Sequence, residues 1–219
     1  MKKKFILYTI LLLMVVAGGG IGYYYWYQGT HYVTTEDARV AGDTYRVMPR
    51  ISGKITSLDL SDGQSVLADQ IVGQQDTTNI AGNMLDNATL RAPITGTVLK
   101  VTAKSGEVVA PGQSVATIVD MNKLYVSANI EETDLGRIHL GQTVEFTLDS
   151  FKGQTFTGQV SELGTATAST FSLLPATSTS GNFTKVTQRI PIKISIGDKQ
   201  NSRILPGMSA VIKIHLKGN

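Results

Sequence analysis

The chain repeats itself once, and that repeat limits its folds more than any other feature. The segment RISGKITSLDLSDGQSVLADQIV, from Arg50, matches PITGTVLKVTAKSGEVVAPGQSV, from Pro93, at a shift of 43 residues. Ile51 falls on Ile94, Gly53 on Gly96, Gly63 on Gly106, Val66 on Val109, Gln70 on Gln113 and Val72 on Val115. Two copies do not make a solenoid; they imply two half-modules that bury one another. The glycines fall where short strands must turn, and the apolar runs between them are too short and too β-branched for helices.

The copies are separated by QQDTTNIAGNMLDNATLRAP, residues 74–93. Even a wholly helical segment from Thr77 to Thr89 would span only about 20 Å. Gly82 and the Asn and Thr content argue against a stable helix, and no heptad pattern is present. The insert reads as a short hinge.

Ahead of the repeat lies an apolar segment. Lys2, Lys3 and Lys4 precede FILYTILLLMVVAGGGIGYYYWY, and no formal charge occurs from Phe5 to Tyr27. A helix over that run is about 34 Å long, enough for a hydrocarbon core of about 30 Å. The three lysines favour a cytoplasmic N-terminus, and Tyr23, Tyr24, Tyr25, Trp26 and Tyr27 suit the opposite membrane interface. A cleaved signal peptide is the competing reading, since Val15-Val16-Ala17-Gly18 resembles a small-residue cleavage site. Cleavage would leave an N-terminus reading GGGIGYYYWY with no use for its aromatics, so an uncleaved single-pass anchor is expected, with the remainder outside the cytoplasm.

Beyond the flank, 17 Lys and Arg balance 17 Asp and Glu, so the pI near 9.0 reflects the three N-terminal lysines. No basic stripe interleaved with aromatics is visible, and nucleic acid is not an expected partner. The chain has no cysteine, which excludes disulfides, thiolate metal sites and Cys nucleophiles.

After Lys123 the pattern turns to period-2 strands. Leu124, Val126, Ala128 and Ile130 alternate with polar neighbours, as do Val144, Phe146 and Leu148, then Ile190 to Ile196, then Ile212 to Leu216. That alternation predicts an antiparallel sheet or small barrel around one core. Pro191, which has no amide donor, is expected on an edge or at a strand start. EETDLGRIHLGQ predicts a short helical turn entered through Thr133 or Asp134 and ended by Gly141.

Four segments carry a resemblance. TEDARVAGDTYRVMPRISGKI (Thr35–Ile55) resembles the entry segment of membrane fusion proteins of the HlyD family, with EmrA-like multidrug adaptors the nearest subgroup. LRAPITGTV (Leu90–Val98) is similar to that family's second lipoyl half. FSLLPATSTSGNFTKVTQRIPIKI (Phe171–Ile194) resembles its barrel segment, and PGMSAVIKI (Pro206–Ile214) its closing strand. The resemblance implies a mainly β chain with an N-terminal transmembrane helix, a split lipoyl/biotinyl-like β-sandwich and a small antiparallel β-barrel. Its expected divisions are residues 1–30 for flank and anchor, 31–45 plus 121–217 for a discontinuous barrel, and 46–120 for the lipoyl-like domain. That domain would have halves 46–76 and 90–120 around the hinge 77–89. The resemblance further implies a non-catalytic, homo-oligomeric adaptor beside an inner transporter, typically of the major facilitator type, with an ABC type as the other choice. Relatives in two-membrane bacteria usually carry a long coiled-coil hairpin at the hinge. Its absence fits a single-membrane bacterium, or an engineered or degenerate deletion.

The sequence offers little chemistry. Lipoyl and biotinyl carriers attach their cofactor through a lysine at the tip between the two halves. Here the tip has none, the nearest being Lys54 and Lys100 inside the repeats, so no cofactor is expected and the fold reads as a scaffold. Glu131, Glu132, Asp134 and His139 could be drawn as metal ligands but read more simply as acids near a helix start. Asp59, Asp62 and Asp69 read as turn and surface carboxylates, and no catalytic grouping assembles around His31, His139 or His215. No Gly-rich phosphate loop is present, so any export energy belongs to a partner. Phe171, Leu173, Leu174, Pro175 and Phe183, in the Ser/Thr-rich stretch Thr165–Thr187, form either a loop tucked onto the barrel or a docking surface for a transporter or second protomer. An adaptor of efflux or secretion is the expected function; an extracytoplasmic ligand-binding or envelope-sensing module without a transporter is the alternative.

Overall fold

The computed structural model describes residues 2–78, 82–167, 187–197 and 202–216, with side chains described from Leu11 onward in the first helix and from Leu85 onward in the hinge. In chain order, α1 (Lys2–His31) is followed by β1 (Tyr32–Ala41), β2 (Thr44–Val47), β3 (Gly53–Leu58), β4 (Ser65–Val66) and β5 (Ile71–Gln75). A 3-10 helix covers Gly82–Ala88. Next come β6 (Thr89–Arg91), β7 (Gly96–Val101), β8 (Val108–Val109), β9 (Ala116–Val119) and β10 (Tyr125–Glu131). The chain continues through α2 (Glu132–Leu135), β11 (Thr143–Leu148), β12 (Thr155–Leu163), β13 (Arg189–Ile196) and β14 (Ser209–His215). Two units form: residues 41–125, and residues 1–40 with 126–219.

The first unit is a sandwich of two four-stranded sheets, ordered β2-β9-β7-β4 and β6-β5-β3-β8. Each sheet mixes strands from both copies of the repeat, and the 43-residue shift carries one sheet onto the other. The pair Gly53↔Val109 is matched by Gly96↔Val66. Ile55↔Gln75 is matched by Val98↔Ile118, and Val47↔Ala116 by Leu90↔Gly73. The turns repeat as well: Gly63 N donates to Val98 O at 2.8 Å, and Gly106 N to Ile55 O at 2.8 Å. Each half therefore closes the other's sheet. Val47, Ile55, Val66 and Val72 meet Leu90, Val98, Val109 and Val115 in one buried core. Where the second copy places Ile118, the first places Gln75, which is only 2% exposed. Its amide nitrogen donates to Ile51 O at 3.1 Å and Gly53 O at 3.3 Å.

In the second unit a closed barrel runs β1-β10-β13-β12-β11-β14. The alternation read from the sequence is the burial observed: Val126, Ala128, Ile130, Val144, Phe146, Leu148, Ile192, Ile194, Ile212 and Ile214 all face the core. Phe146 and Phe156 lie opposite in the β11–β12 register, with ring centroids 5.5 Å apart.

Three local expectations change. The hinge holds a 3-10 helix where no stable helix was expected; seven residues permit two tight turns without the nucleation length of an α-helix. Helix α2 has Glu131 rather than Thr133 or Asp134 at its N-cap position, without a side-chain cap bond, and it ends at Gly136, five residues before Gly141. Pro191 is neither at an edge nor first in its strand. It is the third residue of β13 in a closed barrel, one position beyond the last β12 pair, Leu163↔Ile192, and its carbonyl accepts from Gly164 N at 2.8 Å.

Candidate docking surface at the helix end of the barrel

Strand directions place several segments on one rim of the barrel. β1 starts there, directly after α1; β14 ends there, with Tyr32↔His215 in register; β11 starts there, with Val144↔Ile214 in register. The loop from α2 into β11 lies on this rim. So do the two ends of the β12–β13 connection, since Glu162↔Lys193 and Leu163↔Ile192 are the pairs that close it.

Helix α1 is fastened to this rim. The last carbonyls of a helix lack internal donors. Here Arg137 Nη2 donates to Gly29 O at 2.6 Å and to Thr30 O at 2.9 Å, and Leu216 N donates to His31 O at 2.9 Å. Arg137 Nη1 is held by Asp134 Oδ1 at 3.1 Å. A guanidinium suits the place: it has several donors in fixed directions, and a cation is favoured at the negative end of a helix. Aromatic stacking continues the joint. Tyr27 stacks on His31 at 4.1 Å, Tyr32 meets His215 edge-on at 5.0 Å, and Lys213 Nζ sits 3.8 Å from the Tyr32 ring centre. His215 Nε2 lies 3.1 Å from Glu145 Oε1, outside hydrogen-bond angles, so the contact is an ion pair only when the imidazole is protonated.

The loop beyond α2 is equally constrained. Gln142 is buried; its Oε1 accepts from His139 N at 3.1 Å and its Nε2 donates to Arg137 O at 3.1 Å. Gly141 adopts φ 80°, and its N–H donates to Val160 O at 2.8 Å. Leu140 stands at the tip, 64% exposed.

Of the residues singled out in the sequence, Lys2, Lys3 and Lys4 lie in α1, with undescribed side chains. Tyr23, Tyr24, Tyr25, Trp26 and Tyr27 are exposed along its last turns. Among the described residues no helix is long and apolar enough to cross a membrane. Phe171, Leu173, Leu174, Pro175 and Phe183 lie outside the described residues. Glu131, Glu132, Asp134 and His139 do not converge: among the described residues no group of three or more His, Cys, Asp or Glu could hold a metal ion, and Asp134 serves Arg137. Asp62 joins the two halves, accepting from Val101 N at 2.8 Å. Lys54 and Lys100 lie within β3 and β7. At the hinge, Asp76 accepts from the Thr78 hydroxyl and from Thr78 N, and these bonds hold its carboxyl below the usual carboxylate range. Sequence reading missed the Arg137 clasp; its only signal is a basic residue shortly after a short helical turn.

Comparison with known proteins agrees with both units. Residues 43–121 match the barrel-sandwich hybrid domain of RND membrane fusion proteins, and residues 124–214 match the YknX-like beta-barrel domain. The Bacillus subtilis protein named as an efflux system component, YhbJ, is 40% identical over 187 residues, covering 85% of this chain and 81% of that protein. The chain is an EmrA-like membrane fusion protein. The multidrug export protein EmrA of Escherichia coli is 32% identical over 154 residues. That match covers 68% of this fusion protein but only 40% of EmrA. The solved structure of the periplasmic adaptor protein EmrA superposes with a TM-score of 0.57 at 14% identity, covering 85% of this chain and 99% of that one, a likeness of fold.

Proposed function

We infer that this fusion protein is the non-catalytic adaptor of an efflux system. The observation that carries the reading is the joint occurrence, in one chain, of the barrel-sandwich module and the YknX-like barrel, with a relative named as an efflux component across four fifths of its length. In this reading the chain's work is to bind and to position its partner.

The finer reading is as follows. Helix α1 is a single membrane anchor with its lysines in the cytoplasm and both β units outside; the 23 uncharged residues and the aromatic band at Tyr23–Tyr27 support it. The partner is a polytopic transporter, of the major facilitator type by the likeness to EmrA, and the adaptor acts as a homo-oligomer. Phe171, Leu173, Leu174, Pro175 and Phe183 contribute to docking; the connection that carries them leaves and re-enters the barrel on the rim bearing α1. The short hinge fits a single-membrane bacterium. The barrel division 31–45 plus 121–217 and the lipoyl-like division 46–120 hold in this reading to within about five residues, since β2 at Thr44–Val47 pairs into the sandwich and the compact unit spans 41–125.

Affinity capture of the full-length tagged chain from solubilised membranes tests the reading. A polytopic transporter should co-purify, and deletion should raise sensitivity to an exported compound. No transporter together with unchanged sensitivity would overturn it, and drug binding by the chain alone would favour a ligand-binding module.

A further inference from the structure

We infer that the loop Arg137–Gly141 is a second, shallow contact with the lipid bilayer, in which Leu140 enters the boundary between headgroups and acyl chains. The inference rests on reading α1 as a membrane anchor.

Height along the helix comes first. The aromatic band ends at Tyr27, and the carbonyls that Arg137 binds belong to Gly29 and Thr30. Two to three residues of helix rise only about 3–5 Å. The polar layer on each side of a bilayer is about 5–8 Å thick. If Tyr23–Tyr27 mark the interface, the Arg137 guanidinium lies among the headgroups. Leu140 is three residues further on, within about 10 Å of chain.

Presentation comes second. A lone exposed leucine on a mobile loop needs no explanation, but this loop is pinned. Buried Gln142 spends both ends of its amide on the loop backbone, Ile138 is buried beneath it, and Gly141 is tied to Val160. The fold thus holds the Leu140 side chain out at the rim that carries the anchor. The Arg137 charge is paired to Asp134, and the exposed Glu131 and Glu132 of the preceding turn would repel rather than recruit an anionic headgroup. Burial of Leu140 therefore needs no anionic lipid, and the expected contact is hydrophobic.

The test uses the full chain, which has no native cysteine. Three single variants, Leu140→Cys, Lys152→Cys and Leu13→Cys, are labelled with an environment-sensitive fluorophore and reconstituted alone in phosphatidylcholine bilayers. Lys152 is an exposed residue in the β11–β12 turn at the opposite end of the barrel. A nitroxide near the headgroups should quench the Leu140→Cys label about twofold more than one near the acyl terminus. The Lys152→Cys label should be unquenched, and the Leu13→Cys label quenched from the bilayer interior. If Leu140→Cys behaves like Lys152→Cys while Leu13→Cys is quenched, the anchor stands and the inference falls. Equal quenching at 140 and 152, or protection at 140 only when a transporter is added, also overturns it. An unquenched Leu13→Cys label removes the anchor and the inference together.

Discussion

At the scale of single residues, the repeat gives paired positions whose differences can be measured. Gly53 and Gly96 are equivalent, yet their surroundings differ. A Cβ on Gly96 would fall on the Val119 carbonyl, a backbone atom that cannot swing aside, whereas one on Gly53 would meet the Gln75 amide nitrogen at 3.3 Å. Gly96→Ala should therefore cost about 1–3 kcal/mol by forcing β7 off β9, and Gly53→Ala about 1 kcal/mol or less. Urea denaturation decides it, and equal losses would contradict the geometry. Asp69 and Gly112 are a second pair, both at positive φ, 62° and 89°; the turn geometry is kept without the residue that accommodates it most readily. Gln142 offers a second test, outside the repeat. Gln142→Leu leaves His139 N and Arg137 O without partners under the α2 loop, and an unfolding loss of about 1–3 kcal/mol is expected. These side chains show what the sequence could and could not disclose. Core positions were legible in two ways: Val126, Ile194 and Ile212 follow a period of two, and Val66 with Val109 and Val72 with Val115 recur at the 43-residue shift. Gln142 and Arg137 were not, because polar residues on loops follow no period, and the carbonyls that Arg137 binds, on Gly29 and Thr30, lie far away in sequence.

At the scale of elements, four of the six barrel strands, β10, β11, β13 and β14, could be read directly, since one face of each is buried and the other wet. β4 and β8 could not. Two residues carry no periodicity, and these strands exist because Val66 and Val109 are taken up by the opposite half. The hinge was misjudged for a related reason: composition argues against an α-helix but says little of a short 3-10 turn. Its first step is an Asx turn, Asp76 to Thr78, and this gives a pH prediction. The Thr78 hydrogen bonds favour the ionised carboxylate and lower its pKa. The turn is thus fully favoured above the ordinary carboxylate range and is lost only as pH falls through the lowered value of the folded state. In an NMR titration the Thr78 amide shift should report a midpoint below that of Asp in an unstructured peptide. A midpoint at or above that reference would mean the turn does not form, and Asp76→Asn should abolish the titration while leaving β5 and β6 intact.

At the scale of the whole molecule, the halves of the repeat are joined more firmly by pairing than by chain continuity. Every strand of the first half has a partner in the second: β2 with β9, β3 with β8, β4 with β7 and β5 with β6. The barrel adds a further tie, because β1 closes it against β10 and β14. A protease site inserted at residues 79–81 should therefore tolerate cutting, as flanking elements held by pairing generally allow. After cleavage the fragments should co-elute in size-exclusion chromatography in detergent and separate only in denaturant. Variants that weaken a cross-half pair, such as Gly96→Ala, should lower the denaturant needed. Separation of fragments in native buffer would show that the hinge holds the halves together and that the mutual burial is too weak to define the fold. Co-elution would locate the adaptor's stiffness in the interleaved sheets. The hinge could then change in length without disturbing the unit.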